Sequence, residues 1–163
     1  MLKIKAINRL NELNTMTLKQ ISIFLENSPG RLLEITTAFG RAGINLKALS
    51  LSGASDFGVL RLIVSDLHRA RNIAMEHHWP ARVDEVLAVR IPDAPGSLVE
   101  LLGPLNEKHI GVSYMYAFSG FSPSEAVMIF GFKDIEEATG VLRECGAVLI
   151  GAEEFEVLEG NGQ

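Results

Sequence analysis

The chain repeats itself, and this limits its possible folds more than any other feature. Gly30 aligns on Gly96, and the same shift puts Pro29 on Pro95, Leu32 on Leu98, Glu34 on Glu100 and Phe39 on Leu105. It also sets Ile21, Ile23 and Leu25 on Leu87, Val89 and Ile91, and Ile44 and Leu46 on Ile110 and Val112. A slightly longer connection in the second copy then widens the shift. Beyond it Asp66 meets Asp134, Leu67 meets Ile135, Ala70 meets Ala138 and Ile73 meets Val141. Matches spread over both halves mark a duplication, so one small fold should occur twice.

Each copy reads βαββαβ. Residues 18–25 alternate, with Ile21, Ile23 and Leu25 on one side and Gln20 and Ser22 on the other. That is the pattern of a half-buried strand. Ser28-Pro29-Gly30 predicts a helix start, with Ser28 as N-cap and proline at the first helical position. Leu32, Ile35, Phe39 and Ala42 follow at helical spacing, and Gly43 supplies the stop. Strands over 45–52 and 58–64 come next, then a helix capped by Asp66 and ending near Trp79-Pro80, then a short strand over 81–84. The second copy predicts strand 85–91, helix 96–108 (kinked by Pro104), strands 110–118 and 126–132, helix 135–144 and strand 147–150. Residues 153–158 suggest an edge strand.

The expected fold is therefore α+β: two ferredoxin-like βαββαβ repeats, each an antiparallel sheet with helices on one face. The boundaries are an N-terminal extension over 1–17, repeats over 18–84 and 85–158, and a flexible tail over 159–163. Leu2, Ala6, Leu10 and Leu13 fit one face of a short helix, and a frayed leader fits the extension equally well. Phe24, Leu49, Leu51, Val59 and Ile63 are expected on the sheet face away from the helices. That face is apolar enough to need cover from the second copy or another chain.

The two strand-to-helix loops are the most informative segments for binding. They are Asn27-Ser28-Pro29-Gly30-Arg31-Leu32 and Asp93-Ala94-Pro95-Gly96-Ser97-Leu98. Each leads into a helix whose first amides are unpaired and whose dipole is positive at that end. With no Cβ at Gly30 or Gly96, a small carboxylate can approach the backbone. The alternative is a purely structural turn, although the residues around the two turns differ.

These loops, the Ala42-Gly43-Ile44-Asn45 segment and the βαββαβ order together resemble the ACT domain, a small-molecule-binding regulatory module. From about Lys19 to Glu153 the chain is similar to stand-alone tandem ACT proteins, through Asp56–Val64 and Tyr114-Met115-Tyr116-Ala117-Phe118 as well. The resemblance implies an amino acid held where the first loop of one unit faces the second strand of another, with one asparagine from each. Those positions are Asn27 and Asn45 here, and an amide offers the donor and acceptor a zwitterion needs. The second copy departs from the pattern, with Asp93 and Gly111 in their places. The resemblance thus implies two unequal sites or one composite site, which Tyr114, Met115 and Tyr116 either wall or merely support as core. Such walls suit an apolar or aromatic amino acid. Arg61 is the charged exception on the apolar face, expected to pair with Asp56 or Glu125 or to form an exposed salt bridge.

Other chemistries find little support. Lys and Arg number 15 against 20 Asp and Glu, a net charge of −5 with no basic run. That balance argues against nucleic acid or an anionic membrane surface. An RNA-recognition module of this shape would stack bases on central-strand aromatics, and Gly58–Val64 has none. A phosphate-cleaving hydrolase would aim an arginine from the first loop; Arg31 is so placed, but Ser97 replaces it in the second copy. His68, His77, His78 and His109 lack the spacing of a helical zinc pair, and no P-loop or nucleophile elbow is present. The single Cys145 suits a reducing cytoplasm. No stretch reaches the ~20 apolar residues of a membrane span. The expectation is a non-enzymatic cytoplasmic amino-acid sensor that needs no metal or cofactor. It should form a homodimer and report to a partner metabolic enzyme. A docking subunit that has lost ligand binding is the rival reading.

Overall fold

The computed structural model describes residues 15–54, 56–118 and 124–160. The chain divides into two compact units: one runs from Lys19 to Asp84, and the other from Glu85 onward, joined by the described residues ahead of Lys19. The helix expected over Leu2–Leu13 and the last three residues of the expected tail lie outside the described residues.

The first unit contains β1 (Thr17–Glu26), α1 (Arg31–Arg41), β2 (Leu46–Ala54), β3 (Phe57–Val64), α2 (Leu67–Glu76) and the first residues of β4 (Ala81–Pro92). The strands β2-β3-β1 pair antiparallel in that order, and the Phe24 N–H donates to the Pro80 carbonyl at 2.8 Å. Ile21 and Ile23 stand opposite Leu62 and Leu60, which aims all four at the helices. There they meet Ile35 and Phe39 from α1 and the small Ala70 and Ala74 from α2, which let that helix approach closely. Phe39 is fully buried and meets Trp79 edge-on at 6.1 Å. Burying a side chain of that size contributes about 2–3 kcal/mol.

The second unit repeats the plan with the rest of β4, α3 (Ser97–Glu107), β5 (Val112–Phe118), β6 (Glu125–Phe132), α4 (Ile135–Glu144) and β7 (Val148–Ile150). Its strands pair antiparallel in the order β5-β6-β4-β7. Leu87, Val89, Met128 and Phe130 form the core with Leu101, Leu105, Ala138 and Leu142 from the helices. The chain is thus α+β with two βαββαβ repeats. Both second helices are capped alike: the Asp66 carboxylate accepts the Arg69 N–H and the Asp134 carboxylate the Glu137 N–H, each at 2.9 Å.

Three local expectations are corrected. Ser28 does not cap α1, and Pro29 is not its first residue. Ser28 to Arg31 closes as a tight turn instead, the Arg31 N–H donating to the Ser28 carbonyl at 3.3 Å. Proline and glycine take its two central positions, the pair that a type II turn favours. Gly30 is the N-cap at φ 92°, and Ala94–Ser97 copies the arrangement with Gly96 at φ 94°. Nothing would crowd a Cβ at either glycine, so the positive φ alone calls for it.

The second correction concerns β2. A bulge between Leu46 and Ala48 leaves Leu49 and Leu51 opposite Leu62 and Leu60, on the helix side. One extra residue of this kind inverts the alternation that follows it. Leu49 and Leu51 remain 56% and 48% exposed because β2 is the outer strand of this unit. The opposite face keeps Phe24, Val59, Arg61 and Ile63. It also carries a polar chain: the buried Gln20 amide donates to the Ser22 hydroxyl, which donates to Asp84 at 2.8 Å. Arg61 donates to the Ser52 hydroxyl at 2.6 Å, a cross-strand partner on that face.

Third, the expected edge strand over 153–158 is a helix, α5 (Ala152–Gly160). Glu153 and Glu154 stand in its first turn, where they complement the helix dipole. Its anchor is Phe155, 2% exposed and 5.4 Å from Phe118, while Val157 is 63% exposed, so Phe155 and Val157 do not share a buried strand face. Arg90 pairs with Glu154. Phe118 and Arg90 belong to the sheet face away from α3 and α4, and α5 therefore covers that face with this unit's own chain.

Candidate functional site

The turn before α1 places three charges together. The Arg31 guanidinium sits 3.0 Å from the Glu34 carboxylate, one helical turn on, and 3.8 Å from Glu26 at the end of β1. The hydrogen bond and charge of Glu34, then the charge of Glu26, raise the Arg31 pKa further above its usual range. The helix start is therefore not a bare positive end awaiting a carboxylate; two acids already flank it. In the second unit Ser97 replaces Arg31, so Glu100 has no arginine at the start of its own helix.

The two asparagines lie at opposite ends of one ladder. The Asn27 N–H donates to the Asp56 carbonyl at 2.7 Å, where β3 begins. The Asn45 N–H donates to the Ser65 hydroxyl at 2.9 Å and its carbonyl accepts the Ser65 N–H, where β3 has ended. The extended chain between those anchors, at ~3.3 Å per residue, spans roughly 30 Å. Asn27 and Asn45 of one unit cannot touch the same small molecule. Both are exposed. Asp93 keeps the backbone bond of Asn27, donating to the Ser124 carbonyl at 2.8 Å, but offers a carboxylate in place of the amide. Ser28, Pro29, Gly30 and Leu32 form the exposed turn and helix start beside Asn27. Beside Asp93, Ala94 and Gly96 are exposed, and Ser97 and Leu98 are half-buried.

Tyr114, Met115 and Tyr116 do not form one wall. A bulge between Val112 and Tyr114 sets Tyr114 opposite Gly131 and Tyr116 opposite Ile129, on the face away from the helices. Met115 stands opposite Phe130 on the helix side. Tyr114 lies directly over Gly131, where an added Cβ would come within 2.2 Å of its ring. The tyrosine packs on its own sheet.

Sequence reasoning missed a cavity of about 300 Å³ in the first unit, between the Arg31 turn and the segment joining α2 to β4. Phe24, Phe57 and Trp79 supply its aromatic wall, and Glu26, Arg31 and Glu34 its polar rim. In the sequence Trp79 reads only as a helix stop. The repeat alignment holds the signal, since His77-His78-Trp79 falls on Cys145-Gly146-Ala147 at the wider shift. The corresponding cavity in the second unit is about 200 Å³ and lined by Arg90, Ser97, Glu100 and Cys145 among others. A wider groove of about 800 Å³ runs between α1 and α2, past Thr37, Arg41, Arg69 and Asn72. Among the described residues no three His, Cys, Asp or Glu gather as metal ligands, and no helix is long and apolar enough to cross a membrane.

The family model of the ACT domain pair matches residues 16–155. Among solved structures, protein BT0572 from Bacteroides thetaiotaomicron is 34% identical, with a TM-score of 0.80 over 87% of this chain and 97% of that one. The regulatory subunit of aspartate kinase from Thermus thermophilus, in its ligand-free form, shares the fold at 12% identity and TM-score 0.57, over 82% of this chain and 95% of that one. The same subunit from Thermus flavus aligns at 12% identity and TM-score 0.55, over 80% and 93%. No curated protein matches the chain.

Proposed function

The chain belongs to the ACT domain pair family, and from that premise we propose that this regulatory protein is a non-catalytic, cytoplasmic sensor of a free amino acid. Its ACT units would run over 18–84 and 85–158. The ligand lies between the first loop of one ACT unit and the second strand of another, held by Asn27 and Asn45. The observation that carries this reading is the placement of those asparagines. Each is exposed and has its backbone bound to a neighbouring strand end. Roughly 30 Å of ladder parts them within a unit. A ligand touching both must bridge units, and bridging lets binding favour one arrangement over another, by no more than the difference in affinity. A second copy of the chain supplies the facing unit, and a metabolic enzyme takes the output, by analogy with the aspartate kinase regulatory subunits that share its fold.

The test is a thermal-shift screen of the full chain against the twenty amino acids. A ligand at 100 times its Kd adds about 2.7 kcal/mol. The expected result is a rise in Tm with one or two related amino acids, lost in Asn45→Ala. A shift that survives both Asn27→Ala and Asn45→Ala removes these residues from the site. The rival reading, a docking subunit without ligand, draws on Asp93 and Gly111, which take both asparagine positions of the second repeat. It predicts no shift with any amino acid at millimolar concentration.

A further inference from the structure

We propose that the first repeat holds a binding site of its own, separate from the bridging site, in the cavity walled by Trp79, Phe24 and Phe57. The site takes a primary amine that carries an aromatic body. The cavity measures about 300 Å³, which is the small end of the range for ligand pockets. It suits a molecule of amino-acid size.

The Trp79 part of the wall is set before any ligand arrives. Trp79 is held between the Phe39 edge at 6.1 Å and a stacked His77 at 4.5 Å, and its backbone N–H donates to the Ala74 carbonyl at 2.9 Å. An aromatic guest therefore meets a ring that needs no ordering on binding. The rim selects charge. Glu26 and Glu34 bring two carboxylates against the one guanidinium of Arg31, and His77 and His78 are the other titratable residues of the lining. Two carboxylates offer more acceptor positions than a single fork can fill, so an ammonium fits between them without displacing Arg31. Aromatic faces add attraction for a cation. The Arg82 guanidinium, 5.6 Å from the Phe24 ring centre, already illustrates it.

The duplication supplies an internal control. Both repeats have the same turn, the same left-handed glycine and the same Asp cap, so the fold does not need the aromatic wall. In the second repeat Arg90 takes the place of Phe24, Ser97 that of Arg31 and Ala147 that of Trp79. A cation now stands where an aromatic ring stood, and the cavity shrinks to about 200 Å³. The site belongs to one repeat alone.

Trp79 is the only tryptophan in the chain, so its emission reports on this cavity. The full chain is titrated with phenethylamine, L-phenylalanine and 3-phenylpropionate. The two amines should change Trp79 emission saturably, and the acid should not. Tighter phenylalanine identifies a free amino acid whose carboxylate uses Arg31, and tighter phenethylamine identifies a decarboxylated amine; either supports the site. Glu26→Gln and Glu34→Gln are exposed substitutions whose folding circular dichroism verifies. Each should raise the midpoint about tenfold, as expected for loss of a charge-assisted hydrogen bond. Asn45→Ala should leave the response intact, which separates this site from the bridging one. The proposal is overturned if no compound changes the emission, if the acid binds as well as the amines, if the double Glu→Gln variant keeps its midpoint, or if Asn45→Ala abolishes the response.

Discussion

Gly131 is small because Tyr114 occupies its side-chain space. A methyl there would fall 2.2 Å from the phenol ring, so Gly131→Ala must either push the ring off the sheet or bend β6. We expect a loss of about 1–3 kcal/mol, the usual cost of overpacking, read from the urea midpoint. An unchanged midpoint would mean that the ring swings aside freely. At this scale the sequence was legible where one side chain makes one local bond. Asp66 accepts the Arg69 amide, and it reads as a cap because a carboxylate before a helix has few better partners than that amide. Ser28 looked equally suitable and is not a cap. The Pro-Gly pair that follows has its own turn geometry, and that moves the helix start past it.

Among the described side chains of α5, Phe155 is the buried one. It anchors the helix against Phe118, and Arg90–Glu154 tethers the same stretch. Phe155→Ala should cost about 3–5 kcal/mol and loosen the helix from the sheet. Amide exchange of residues 152–157 should then rise toward that of an unfolded segment, with little change in β1–β3. Protection that persists would mean other contacts hold α5. The order of elements within each repeat follows from the duplication, but α5 does not, and neither do the faces of β2 and β5. Each has a bulge near its start, at Leu46/Ala48 and Val112/Tyr114, and one extra residue turns every later side chain over. Alternation counted from Leu46 therefore misplaces Leu49 and Leu51. After the second bulge only the relative order survives: Met115 stays opposite to both tyrosines, but which of them faces the helices has to be read from the pairing with β6.

At the scale of the whole molecule, two copies of one fold have acquired different equipment. The first keeps Asn27, Asn45 and the aromatic cavity; the second keeps the frame and gains α5. The frame was legible because it recurs, whereas the cavity joins residues 24, 57 and 79, which no spacing rule connects. If the asparagines carry recognition, restoring them should restore a site. Gly111 has no positive φ and open space around a Cβ, so an asparagine fits there. Asp93→Asn with Gly111→Asn should raise the ligand stoichiometry measured by titration calorimetry, up to twofold if the native chain uses one pair. An unchanged stoichiometry would show that the amides alone do not make the site.

The exits of the four repeat helices carry one more consequence. Gly43 and Gly146 adopt left-handed backbone, and their counterparts His109 and His78 do so without being glycine, at φ 59° and 55°. The substitution runs in opposite directions in the two halves: the first repeat has glycine then histidine, the second histidine then glycine. Among the described residues each half therefore holds one non-glycine residue whose backbone costs on the order of 1–2 kcal/mol. This burden falls evenly, so it does not choose which half opens first to a protease. Reverting one histidine to glycine would end that parity, making a matched pair into a chain with a designated first point of failure.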